Sequence, residues 1–89
     1  MKKTFKITVL EGLHARPSTL LVTTVSSFKS DVTITYKDRS ANLKSIMGVM
    51  SLAISLGSVI EISAEGADAQ QLMDKVTKVI ISQGIGEEC

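Results

Sequence analysis

Residues 3–28 read KTFKITVLEGLHARPSTLLVTTVSSF, and their apolar pattern changes period once. Through residue 9 the side chains alternate, with Phe5, Ile7 and Val9 on one face and Thr4, Lys6 and Thr8 on the other, which predicts a half-buried strand. Past Gly12, residues Leu21, Val22, Val25 and Phe28 stand at i, i+1, i+4 and i+7, the spacing of a helix face. This helix is rich in Thr, Val and Ser, which are poor helix formers, so packing against a sheet has to hold it. Gly12 lets the backbone turn tightly between the two elements. Pro17 fits the first helical turn, where its missing N–H leaves no hydrogen bond unmade.

The same alternation recurs downstream. DVTITY (31–36) sets Val32, Ile34 and Tyr36 on one face, and the turn chemistry of KDRS (37–40) predicts an antiparallel return around 39–42. SVIEISAE (58–65) opposes Ile60, Ile62 and Ala64 to Val59, Glu61 and Ser63. A short helix, IMGVMSLAI, follows Ser45 and stops before Gly57. The last helix, from DAQQLMDKVTKVIISQG, carries Ala69, Leu72, Met73, Val76 and Ile80 on one stripe, with Asp68 as N-cap and Gly84 as stop. Glu61 and Glu65 read as a solvated strand edge, and the final GEEC as a frayed tail. The order β-α-β-β-α-β-α, amphipathic on one face throughout, predicts a two-layer sandwich of helices on a sheet whose other face is open.

At 89 residues the chain is expected to be a single domain, 1–89. Hydrophobic residues at 44% and charged ones at 21% exclude a disordered chain. Ten basic and nine acidic side chains are scattered, leaving a net charge of +1, and there is no Trp. Without a basic stripe or aromatic platform, nucleic acid is not an expected direct partner. Cys89 is the single cysteine and His14 the single histidine, so neither a disulfide nor a metal ligand set is expected, and no cofactor is implied. No apolar run reaches the ~18 residues of a membrane span, and no signal-like apolar segment opens the chain. A soluble, cytoplasmic protein without membrane insertion is expected, and a monomer, because nothing marks a large permanent interface.

His14 lies at or next to the N-cap of the first helix, followed by Ala15, Arg16 and Pro17. The Ala15 and Arg16 N–H groups have no intrahelical acceptor, and the helix dipole adds partial positive charge at that end. Arg16 brings a guanidinium suited to phosphate oxygens. These features favour a dianionic group on the imidazole, and a neutral ring there can accept a phosphoryl group and hand it on. The plainer reading makes His14 only a cap, a task that Asn, Ser or Asp performs better.

GLHARPS (12–18) and NLKSIMGVMSL (42–52), at this separation, make the chain resemble the HPr family, the histidine-containing phosphocarriers of the bacterial sugar phosphotransferase system. The resemblance covers essentially the whole length. It implies an α+β, open-faced two-layer β-sandwich with a four-stranded antiparallel sheet covered by three helices. It implies that His14 takes a phosphoryl group on Nδ1 from enzyme I, which obtains it from phosphoenolpyruvate, and passes it to sugar-specific IIA domains. Arg16 and the Ala15 N–H would stabilise the phosphate, making the protein a stoichiometric carrier rather than an enzyme. For the Gram-positive type, Ser45 would be phosphorylated from ATP by HPr kinase/phosphorylase, the product binding a catabolite-control transcription regulator. Unaided, the residues give Ser45 only as a cap.

If Val49, Leu52 and Ala53 face the core, Met47 and Met50 point outward with Gly48 flat between them and Ile46 partly exposed. Methionine is an adaptable contact residue, so Ile46, Met47, Gly48 and Met50 read as a docking patch beside His14; core filling is the alternative. Three positions depart from the family pattern. Ser18 replaces the usual Ala and could add a hydroxyl near the phosphate, Ala53 stands where glycine is common, and Glu11 is close enough to weaken the anion site. Two rivals remain: a small acylphosphatase-like enzyme that releases free phosphate, and a purely regulatory module acting through Ser45.

Overall fold

A computed structural model describes residues 1–89. The chain runs β1 (Lys2–Ile7), α1 (Ala15–Ser26), β2 (Asp31–Tyr36), β3 (Arg39–Asn42), α2 (Ile46–Ser51), β4 (Val59–Glu65), α3 (Ala69–Ser82) and β5 (Gly86–Glu88). All pairings are antiparallel and the sheet order is β3-β2-β4-β1-β5. The α+β sandwich follows the predicted order, but the sheet has five strands rather than four. The residues read as a frayed tail supply the fifth.

That tail is held by a buried anchor. Ile85 is fully buried, its N–H bonds to the Ile80 carbonyl, and its own carbonyl accepts from Thr8 and Val9. Gly86 then runs so close to β1 that a Cβ there would lie 2.5 Å from the Lys6 carbonyl oxygen. Beyond it, the Thr4 Oγ1 donates to the Cys89 carbonyl at 2.9 Å. One buried isoleucine and a glycine at the point of closest approach turn a short polar tail into an edge strand.

The inward faces of the strands are those the alternation predicts. Phe5, Ile7, Val32, Ile34, Ile60, Ile62 and Ala64 are buried, and meet Leu21, Val22 and Val25 from α1 and Leu72, Met73, Val76 and Ile80 from α3. Tyr36, Phe28 and Ala69, also assigned to that face, are only half-buried at its rim. The opposite face of the sheet carries Thr4, Thr33, Thr35, Glu61 and Ser63 with no helix over it. No helix is long and apolar enough to cross a membrane.

Asp68 occupies the N-cap position of α3 without capping it. Its carboxylate instead accepts from the Lys29 and Ser30 N–H groups, both at 2.9 Å, and from the Ser30 hydroxyl. These bonds hold its pKa down to about 2, the Ser30 hydroxyl acting most strongly and the Lys29 N–H next. The expected local cap is thus a long-range clasp between α3 and the turn entering β2.

Candidate functional site

The chain leaves β1, turns at residues 9–12 and enters α1 at His14. The turn closes through the Gly12 N–H to the Val9 carbonyl at 3.0 Å, with Gly12 at φ +70°. A side chain would be strained there, and a Cβ would sit 2.4 Å from the Ile54 carbonyl oxygen. That same oxygen accepts from the Leu13 N–H at 2.9 Å. Gly12 therefore lets the turn lie directly on the backbone at 54–55, which fixes His14 relative to the end of α2.

His14 is the N-cap of α1, in extended conformation at φ −77°, ψ −165°, and its ring makes no capping bond. Its carbonyl accepts from the Ser18 N–H at 3.0 Å, which starts the helix, while the imidazole stays exposed. The Ala15 and Arg16 N–H groups find no acceptor within the chain. The imidazole is thus free of the capping task, and it stands at a helix end with unpaired donors. Ser18 is buried, and its hydroxyl donates to the Leu13 carbonyl at 2.9 Å. Its expected place beside the phosphate is therefore a correction: the hydroxyl is committed to fixing the loop.

Arg16 is exposed and donates from Nη2 to Glu11 Oε2 at 3.2 Å. The Glu11 carboxyl lies below the usual carboxylate range, chiefly through its own backbone N–H, with Arg16 and His14 adding against the opposing effect of desolvation. Glu11, close by in the sequence reading, is thus a partner of the guanidinium itself.

Ser45 caps α2, its Oγ accepting from the Gly48 N–H at 3.0 Å. Gly48 also packs closely: a Cβ there would lie 3.2 Å from the Ser45 Oγ. Val49 and Leu52 are buried, whereas Met47 is 80% exposed and Ile46 and Met50 are each 38% exposed. These methionines are not core filler. Ala53 does not face the core: it is exposed in the left-handed region at φ +53°, just past the C-cap of α2. The signal was its standing where glycine is common, since a glycine position marks a backbone that other residues adopt with strain. Arg39 holds this segment by donating to the Leu52 carbonyl at 2.8 Å.

A shallow depression of about 280 Å³ joins the two motifs, with Glu11, Leu13 and His14 on one side and Met50, Ala53, Ile54 and Ser55 on the other. Met50 thus reaches the His14 depression, while the Ser45 cap lies at the far end of α2. The sequence places Ala53 and Ile54 in the short helix and gives neither them nor Ser55 a part in the site; α2 instead ends at Ser51, and all three line the depression. Their contribution is backbone shape, which no side-chain pattern announces.

The site is an exposed imidazole at the head of α1, over a shallow depression shared with the end of α2. Residues 1–82 match the family described as the PTS HPr component phosphorylation site. The chain belongs to this family, the HPr phosphocarriers of the phosphotransferase system. It is 40% identical to the histidine-containing phosphocarrier protein of a Mycoplasma, with a TM-score of 0.94 over 97% of this chain and 98% of that one. It is 39% identical to the phosphocarrier protein HPr of Bacillus anthracis, with a TM-score of 0.80 over 85% and 90%. It is also 35% identical to Crh of Bacillus subtilis, a catabolite repression protein found as a swapped dimer, with a TM-score of 0.74 over 90% and 92%.

Proposed function

We propose that this chain carries phosphoryl groups on His14, from phosphorylated enzyme I to sugar-specific IIA domains, in the cytoplasm and as a monomer. The observation that supports it best is the uncommitted His14 ring beside the unpaired N–H groups of Ala15 and Arg16. Nδ1 attacks phosphorus as the bond from phosphorus to the donor breaks, and the electron pair of that bond stays with the donor. For Nδ1 to attack with its lone pair, the ring must carry its proton on Nε2. The helix-end N–H groups and Arg16 meet the charge on the phosphoryl oxygens. Ile46, Met47, Gly48 and Met50 give partners an apolar seat alongside.

Incubation with enzyme I, Mg²⁺ and phosphoenolpyruvate, followed by intact mass under mildly basic conditions, tests this. An added phosphate that acid removes and His14→Ala abolishes is expected. Free phosphate released without retention on the protein would favour an acylphosphatase-like enzyme instead. No added phosphate, with enzyme I active on another carrier, would refute the carrier role.

The likeness to Crh favours a second, compatible reading in which Ser45 is the control point. Phosphorylation by HPr kinase/phosphorylase would add about −2 charge at the α2 cap and create a surface for a catabolite-control transcription regulator. A purely regulatory module would keep partner binding after His14→Ala and lose it after Ser45→Ala.

A further inference from the structure

We propose that Glu11 is an electrostatic latch on Arg16 that lowers the stability of the phosphorylated site and so favours onward transfer. The inference rests on the reading of His14 as phosphoryl acceptor. Glu11 and Arg16 form one of two ion pairs in the molecule, and both side chains are substantially exposed. An exposed ion pair is weak and exchanges readily. Glu11 also lines the same depression as His14.

Before phosphorylation, the carboxylate holds the guanidinium and their charges cancel. A phosphoryl group on His14 brings about two negative charges into the depression. Arg16 can then serve the phosphoryl oxygens only by leaving Glu11, which strands a carboxylate beside the dianion. If Arg16 stays with Glu11, the dianion loses its guanidinium. Both arrangements raise the free energy of the phosphorylated protein relative to the free one. Glu11 is thus a positioning residue: it touches no reacting atom and acts through Arg16 and through charge.

The test uses the full chain and Glu11→Gln, each equilibrated with enzyme I and Mg²⁺ at fixed ratios of phosphoenolpyruvate to pyruvate. The phosphorylated fraction is read by intact mass at mildly basic pH. Loss of one exposed charge is expected to raise the equilibrium constant for phosphorylation by about three- to tenfold at low salt. The ratio between the two proteins is expected to fall toward one near 1 M salt, where the Debye length is about 3 Å. A purely structural effect would not follow the salt. Equal constants at low salt, a shift toward the free form, or a gain that survives high salt would each overturn the latch. Two proteins that both stay unphosphorylated, beside a control carrier that is labelled, would instead refute the carrier reading on which it rests.

Discussion

Replacing Gly12 by alanine tests whether the site is held by close backbone approach. Gly12 stands at φ +70° and its control, Gly57, at φ +88°, both at positive φ. The left-handed backbone costs a residue with a side chain about 1–2 kcal/mol, partly offset by about 0.4–1 kcal/mol from the less flexible unfolded chain. Both substitutions carry that dihedral effect. They differ in space: nothing lies within 4 Å of a Cβ at Gly57, whereas at Gly12 it would meet the Ile54 carbonyl oxygen at 2.4 Å and the Ser55 Cα at 3.0 Å. Relief requires the 54–55 backbone to move, which weakens the Leu13–Ile54 hydrogen bond at a cost of about 1 kcal/mol and strains the packing by about 1–3 kcal/mol. Gly12→Ala should therefore cost about 2–4 kcal/mol more than Gly57→Ala. At 4–8 °C per kcal/mol for a domain of this size, the difference in Tm is at least about 8 °C. Urea and thermal unfolding followed by far-UV circular dichroism measure both. Equal losses within about 0.5 kcal/mol would refute the argument that Gly12 is required for contact rather than dihedral freedom.

Asp68 has its pKa lowered from 3.8 to about 2 by folding, so its stabilising effect is complete above pH 4 and is lost as the pH falls through 2. Asp68→Asn should flatten the fall in stability across that window, as read by urea midpoints at each pH; an unchanged slope would remove Asp68 from the acid response. Ser45→Ala removes the acceptor for the Gly48 N–H and should cost about 1 kcal/mol, visible as a lower urea midpoint with an unchanged m-value. Met47 is exposed and outside the core, so Met47→Ala should leave Tm within about 2 °C while weakening enzyme I binding in calorimetry; undiminished affinity would remove it from the docking patch. Gly86→Val, which drives a side chain into the Lys6 carbonyl, should detach β5 and release amide protection at Thr8 and Val9 in hydrogen exchange. Protection equal to that of the unaltered chain would show that the contact is readily relieved.

The sequence by itself determined whatever rests on short spacing. Alternation settled which faces of β1, β2 and β4 turn inward, because side chains on a strand can face only two ways. The 3.6-residue pattern of α3 and the proline after His14 placed helices where they stand, and the Ser45–Gly48 cap follows from a serine three residues before a free N–H. The place of His14 at the head of α1 was legible for the same local reason, while only the structure shows that its ring makes no capping bond. Tertiary structure decided what depends on neighbours distant in the chain. Asp68 reads as a local cap, yet two N–H groups and a hydroxyl nearly forty residues earlier outcompete the helix end for its carboxylate. The tail becomes β5 because Ile85 finds a place in the core and the edge of β1 has unpaired groups to offer. Ala53, expected in the core, is exposed in the left-handed region, and the 54–55 backbone just after it lies against Gly12. Local periodicity fixes which way a side chain points; only the assembled sheet and helices fix what it meets.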